Sequence, residues 1–391
     1  MPSMSIQSED AMTYLDYAAT TPMDEEVLQA MLPFFVKLFG NPSSKHPCGK
    51  GPAEAVNRAR KIMSILIGCK PKEIIFTGGA SEANNLAIKG VAECYDEPKH
   101  FITSSFEHKA TLQAMKKVES WGHSVTFIDP QEDGIVNPQA VKDAITPDTV
   151  LCSIMHVNNE IGTIQPIDDI ADICRDEDVL FHTDATQSFG KMPIDIHGID
   201  FMSLSAHKFY GPKGIGALYV SEDARLTCQI DGGSQEGGRR AGTQNVPGIV
   251  GLAEAAKKSY AEMRENWERQ KHLEQAFLKE LLSTTPMSYI QGNREFKVPW
   301  ITNICFYEAN GEKVRDELGK RGYCVSRTSA CAESEAVSHV LEAIKTRKDL
   351  VDDAIRFSFG RPTTEQDVID AAKEASCVVA GVRKETGRGH G

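Results

Sequence analysis

Ser205, His207 and Lys208, in the run Ser205-Ala-His-Lys208, are the residues whose types and spacing carry the most chemistry, together with Asp184 upstream in Asp184-Ala-Thr-Gln187. The apolar run Phe201-Met-Ser-Leu204 leads into the lysine, and Gly211-Pro212 breaks the chain just after it. A lysine at the end of a buried strand can close a Schiff base on an aldehyde cofactor, while Ser205 and His207 can bind a phosphate on the same molecule. Asp184 follows its own apolar run, Val179-Leu-Phe181, where a carboxylate can meet a pyridinium nitrogen. A lysine and an acidic ring partner are what pyridoxal phosphate (PLP) chemistry requires. Each piece alone has a bland counterpart, since Ser-x-His-Lys is also a solvated turn and an Asp after a strand is also a helix cap. Their combination and order carry the assignment.

Four further segments hold reactive or ligand-binding residue types. Gly78-Gly-Ala-Ser-Glu-Ala-Asn84 follows a strand pattern and opens a helix, where unpaired amides bind phosphate and glycines allow close approach. Read as capping alone, the same segment has Ser81 as its cap. Gly232 to Thr243 is a glycine-rich loop with Arg239 and Arg240, suited to a phosphate or a subunit contact. Glu107-His108 comes just after a strand, where a histidine can stack on a flat ring and shuttle protons, or simply begin a helix. Cys331 lies among small and polar residues, Val325 to Ser334, that suit a reactive thiol, and Arg356 alternates on a strand where it could clamp a carboxylate.

Positioning these groups requires a layered scaffold. Short apolar runs at Ile74–Phe76, Phe101–Thr103, Val125–Ile128, Val150–Met155, Val179–Phe181, Phe201–Leu204 and Ile215–Val220 alternate with helical periods at Glu82–Glu93, Lys109–Ser120 and Ile167–Arg175. That alternation predicts an α/β fold with a mostly parallel seven-stranded sheet sandwiched by helices. No helix separates the last two strands, so one of them is expected to be antiparallel. A long helical pattern from Pro247 to Leu282 connects to a smaller α+β C-terminal unit. The expected division is residues 14–261 for the large domain and 262–391, plus the N-terminal 1–13, for the small one.

Bulk properties exclude several classes. A chain of 391 residues is long for one core, and 41% hydrophobic with 25% charged residues is ordinary for a globular protein. The formal net charge of −12 argues against direct nucleic-acid binding, and no apolar run approaches a membrane span. The N-terminus lacks the pattern of a signal or transit peptide, so a cytoplasmic location is expected. The ten cysteines show no Cys-x-x-Cys pairing, so neither a disulfide framework nor a metal site is expected, and most should be buried thiols.

Tyr14-Leu-Asp-Tyr-Ala-Ala-Thr-Thr-Pro22, Phe39-Gly-Asn-Pro-Ser43, Met155-His-Val-Asn-Asn-Glu-Ile-Gly162, Asp184-Ala-Thr-Gln187, Ser205-Ala-His-Lys208, Ser329-Ala-Cys331 and Ile355-Arg-Phe-Ser358 run in order along nearly the whole chain. On these motifs the sequence resembles the group I (NifS/IscS-type) cysteine desulfurases, class V of the fold-type I PLP enzymes. The resemblance implies that Lys208 bonds the cofactor and acts as base at Cα. It implies Asp184 at the pyridinium, Gln187 at the ring oxygen, and His108 stacked on the ring and assisting proton transfer. Ala80, Ser81, Ser205, His207 and Thr243 would bind phosphate, Thr243 from the partner of a homodimer. Asn159 and Arg356 would orient the substrate carboxylate, and Asn159 would also touch the cofactor. Cys331 would take sulfur from L-cysteine as a persulfide, leaving alanine, and pass it to a sulfur-acceptor protein, an iron–sulfur scaffold or a tRNA or DNA thiolation system. The chain departs from the family at Arg327 and Thr328, which replace a usual Ser and Gly, and at Ser81, which replaces a common Thr. A selenocysteine lyase, another class V aminotransferase and an inactive scaffold are the alternatives. Intact Lys208 and Cys331 speak against the last.

Overall fold

The computed structural model describes residues 12–327 and 337–385. A two-residue strand β1 (Thr13–Tyr14) precedes seven strands that form one sheet: β2 (Ile74–Thr77), β3 (His100–Ser104), β4 (Ser124–Ile128), β5 (Thr149–Ser153), β6 (Leu180–Asp184), β7 (Phe201–Ser205) and β8 (Gly216–Val220). Their spatial order is β2-β8-β7-β6-β5-β3-β4. Pairings from β7 through β6, β5, β3 and β4 are parallel, whereas β8 runs antiparallel to both β7 and β2. The expected antiparallel strand is therefore β8, joined to β7 by a turn too short for a crossover helix.

Most of these strands are buried on both faces, which is why they read as continuous apolar runs. Side chains of alternate residues serve two separate cores. Ile75, Phe101, Leu151, Phe201 and Leu218 point to one side. Phe76, Ile102, Cys152, Phe181, Met202 and Ala217 point to the other.

Helices α1 (Glu25–Met31), α2 (Pro33–Val36), α3 (Pro47–Ile67), α4 (Ala80–Ala92), α5 (Lys109–Ser120), α6 (Pro138–Ala144) and α7 (Ile167–Asp176) cover these faces. In α7 the buried residues Ile167, Ile170, Ala171 and Cys174 fall at the spacing of one helical stripe. The 39-residue α8 (Val246–Thr284) starts at Asn245, whose side chain accepts the Gly248 amide, and has a proline in its first turn. Its first half buries Ile249, Leu252 and Ala256 against the large core. Its second half buries Leu273, Phe277 and Leu281 in another core.

That second core holds the three-stranded antiparallel sheet of β9 (Ser288–Ile290), β10 (Ile301–Phe306) and β12 (Ala354–Ser358), with β10 central. Strand β11 (Tyr323–Cys324) pairs in parallel with β1, and Leu15 joins the same core. Helices α9 (Gly311–Lys320), α10 (His339–Ala343) and α11 (Glu365–Glu385) complete the described chain.

Two local expectations are corrected. Helix α4 is capped by Gly79 rather than Ser81, which lies within its first turn. Only Cys152, Cys174 and Cys305 of the nine described cysteines are buried, because Cys48, Cys94 and Cys377 stand on outward positions.

Candidate active site

The carboxyl ends of the sheet strands converge on one cavity of about 680 Å³. Open α/β sheets place ligands there. Strands β2, β6 and β7 contribute through residues at or just after their ends, and the segments after β3 and β5 bring His108 and Asn159.

Strand β2 ends at Thr77 and runs through Gly78 and Gly79 into α4. Gly79 has φ 152°, a conformation that favours glycine, and it aims the first-turn amides of Ala80 and Ser81 toward the cavity end of the helix. Strand β8 presses against this turn: a Cβ on Gly216 would lie 2.4 Å from the Leu204 carbonyl and 2.8 Å from Gly79 backbone atoms. Glu82 braces the turn by accepting the Gly78 amide at 2.7 Å, and Arg240 of the glycine-rich loop holds Glu82 at 2.8 Å.

Strand β6 includes Asp184 as its last residue, so the carboxylate is 6% exposed rather than sitting beyond the strand. Its Oδ2 accepts from Asn84 Nδ2 at 2.7 Å and its Oδ1 from the Thr186 amide at 2.9 Å. Gln187 donates through Nε2 to the Ala18 carbonyl at 2.9 Å, while its Oε1 and Thr186 Oγ1 are buried without partners.

Strand β7 ends at Ser205, and a single 3₁₀ turn, Ala206–Lys208, follows. Lys208 Nζ donates to the carbonyls of Ala18 and Ala19 at 2.7 and 2.8 Å, so the N-terminal segment holds the amine in place. His207 Nδ1 pairs with Thr20 Oγ1 at 3.0 Å. Burial foremost, and then the charges of Lys208, Lys213 and Lys191, push His207 down to about 3, so its ring is neutral at physiological pH.

After β3, His108 is the N-cap of α5, and its Nδ1 accepts the Ala110 amide at 3.1 Å. The helix-start reading holds, and the capping ring also lines the cavity. Burial lowers its pKa, with Lys208 and His339 acting in the same direction. With Nδ1 an acceptor, the neutral ring carries its proton on Nε2. Glu107 beside it is fully buried. Burial foremost, with Asp184 adding, pushes its carboxyl up to about 8 against hydrogen bonds from Ser104 Oγ and the Met155 amide.

Arg356 on β12 is 1% exposed and lies across the cavity from the large sheet's strand ends. Its Nη2 pairs with Asp16 at 2.7 Å, its Nη1 donates to the Asn159 carbonyl at 2.9 Å, and its Nε is buried without a partner.

Of the residues singled out from sequence, Ala80, Ser81, His108, Asn159, Asp184, Gln187, Ser205, His207, Lys208 and Arg356 all line this one cavity. Thr243 does not, being exposed in the glycine-rich loop. Cys331, with Thr328, lies outside the described residues. Two groups escaped the sequence reading. Asn84 was quoted only as the end of a motif, and no local pattern marks its reach to Asp184. Lys191 sits over the Trp300 ring at 5.5 Å, a contact between residues far apart in the chain.

These residues fit PLP. A helix N-terminus, a hydroxyl and a neutral imidazole suit a phosphate, a carboxylate suits a ring nitrogen, and a primary amine suits the aldehyde. The buried orphan Gln187 Oε1 and Thr186 Oγ1 mark polar positions that a bound group would complete.

The family described as aminotransferase class-V matches residues 13–370. A cysteine desulfurase IscS of Dictyoglomus turgidum is 44% identical over 359 residues, covering 91% of each chain. Among solved structures, a NifS-like protein superposes with a TM-score of 0.89 at 33% identity, covering 95% of this chain and 100% of its own. One described as SspA in complex with cysteine gives 0.79 at 40% identity, covering 88% of this chain and 98% of its own.

Proposed function

The chain belongs to the class-V aminotransferase family and is a PLP-dependent cysteine desulfurase, and from that premise we propose how its own residues divide the work. The observation that carries the proposal is the convergence of ten sequence-marked residues on a single cavity.

Ala80 and Ser81 amides, Ser205 and His207 hold the cofactor phosphate. Asp184, braced by Asn84, keeps the ring nitrogen protonated, and Gln187 meets the ring oxygen. Bound PLP supplies an electron sink that weakens bonds at the substrate Cα. Arg356, its guanidinium pinned by Asp16 and the Asn159 carbonyl, orients the substrate carboxylate with Asn159. Lys208 Nζ takes the Cα proton and returns it to Cα once the sulfur has left. His108 stacks on the ring and holds a proton at Nε2, from which it donates toward the reacting atoms. Cys331 thiolate attacks the substrate sulfur: the Cβ–S bond breaks, an S–S bond forms, and the electron pair left on Cβ takes a proton to become the methyl group of alanine.

The persulfide sulfur then passes to an acceptor protein, and the IscS-named relatives support an iron–sulfur scaffold. All nine described cysteines are free thiols, which supports a reducing compartment, the cytoplasm. Among the described residues no helix is long and apolar enough to cross a membrane. Thr243 reaches the phosphate of a second copy in a homodimer. Exposed Phe35, Val36 and Phe39 supply an apolar face for that partner. The small domain begins near residue 262 within α8, and β1 joins it by pairing with β11.

Borohydride reduction of the yellow holoenzyme, followed by peptide mapping, tests the cofactor assignment. The label is expected on Lys208, and a label on any other lysine overturns it.

A further inference from the structure

A second, smaller cavity of about 40 Å³ lies on the other side of the Tyr17–Thr21 segment from the active site. Lys191, Arg361, Trp300 and Gln270 are among its lining residues. Three of them carry a buried polar atom without a hydrogen-bond partner: Trp300 Nε1, Arg361 Nη2 and Gln270 Oε1. The other half of each group is already engaged. Arg361 Nη1 pairs with Glu262 at 2.9 Å and with Asp24 at 3.4 Å, and Gln270 Nε2 donates to the Gly360 carbonyl at 2.9 Å.

The fourth group is a cation without a counter-charge. Lys191 has its ammonium over the face of Trp300, 5.5 Å from the ring centroid, and no carboxylate of the described residues pairs with it. Burial, and after it the charge of Lys208, pushes that ammonium down to about 7. Near neutral pH a neighbouring anion therefore decides whether it stays charged. Lys191 is half-buried, and cations drawn out of water are ordinarily paired.

Donors outnumber acceptors here. Lys191 as its ammonium, Arg361 Nη2 and Trp300 Nε1 only donate, and among the described lining residues Gln270 Oε1 is the one fully buried acceptor left without a partner. Water filling the space would bring two hydrogens of its own for each oxygen and leave some of them unbonded. An anion accepts from all three donors and balances Lys191. The cavity has room for one such ion, since about 10–15 Å³ measured in the same way already admits a water.

We propose that this cavity binds one small monovalent anion, held by Lys191, Arg361 Nη2 and Trp300 Nε1. A halide from the medium or hydrosulfide fits the charge. Hydrosulfide fits better, because its S–H can donate to Gln270 Oε1, which a halide leaves unbonded. The enzyme's own chemistry is one source of hydrosulfide, whenever a thiol reduces the persulfide on Cys331, and that link alone rests on the function proposed above.

Bromide is the probe. Holoenzyme crystals soaked in sodium bromide should show an anomalous peak within hydrogen-bonding reach of Lys191 Nζ, Arg361 Nη2 and Trp300 Nε1. Adding sodium hydrosulfide at a tenth of the bromide concentration should remove most of that peak. In solution, two of the three tryptophans, Trp267 and Trp300, line the cavity. Bromide quenching of the wild-type holoenzyme should therefore contain a saturable component that Lys191→Met loses. A map with water alone in the cavity under bromide overturns the anion site, even where Lys191→Met fails to fold. A peak in crystals without saturable quenching in solution means binding at crystal concentration only, which overturns it too. A bromide peak that hydrosulfide leaves intact overturns the hydrosulfide preference and assigns the site to halide. None of these readings requires desulfurase activity, so a failure of the proposed catalytic roles would leave them unchanged.

Discussion

Glu107 shows how much of the site's character is set by environment rather than residue type. A carboxyl sealed beneath β3 and β5 is costly to ionise, and burial moves it from its ordinary 4.5 to about 8 despite its two hydrogen bonds. Between those values the folded chain keeps a proton that the unfolded chain has released. Its contribution to stability therefore falls as pH rises through that window. Glu107→Gln keeps the shape without the ionisation. The difference in denaturant midpoint between variant and wild type should grow in the variant's favour from about pH 5 to about pH 8, the window that the shift defines. A difference that stays constant across that range would mean the carboxyl ionises normally. The same principle neutralises His207 and leaves its ring a hydrogen-bonding group beside Lys208. Residue types and their order announced these groups in the sequence, but their protonation states come from burial, which no local pattern reports.

At the scale of elements, the seven strands were legible because all but the edge strand β4 are nearly continuous apolar runs enclosed on both faces. Their last residues were not, because Thr77, Asp184 and Ser205 are polar and yet buried at the strand ends, where the cavity needs them. The glycine-rich loop was the least legible element, since its composition reads equally as a linker. Folding docks it through Glu236, whose buried carboxylate takes Arg60 at 2.8 Å, the Phe76 amide at 3.0 Å and Gln244 at 2.6 Å. Arg240 of the same loop holds Glu82 at the start of α4. Glu236→Ala strands the largely buried Arg60 and frees the loop from β2. Breaking a buried pair on one side costs about 3 kcal/mol, so the chemical denaturation midpoint should drop accordingly. Retained stability would mean that the loop's backbone, not its carboxylate, makes the attachment.

At the scale of the whole molecule, the cavity is assembled from parts that lie far apart in the chain. Strand ends of the large sheet line it with the groups proposed to hold the cofactor, and β12 of the smaller sheet brings Arg356 to them. Thr243 stays outside its own cavity, so the dimer is expected to share its sites. Mixing inactive Lys208→Ala subunits with inactive Thr243→Ala subunits should restore part of the activity, because half of the mixed dimers' sites draw both good residues. No recovery after subunit exchange would confine each site to one chain. Cys331 lies outside the described residues, and its proposed role as sulfur acceptor is the claim on which the whole account turns. Cys331→Ser leaves Lys208, Asp184 and Arg356 in place, whereas Cys324, on β11 and paired with β1, serves as control. The deciding measurement is alanine formation from L-cysteine by the two variants, with PLP content determined for both. Cys331→Ser should keep its cofactor and its spectral response to cysteine while losing several orders of magnitude in rate, and Cys324→Ser should stay active. Near-normal alanine production by Cys331→Ser, with activity lost in Cys324→Ser, would contradict the account.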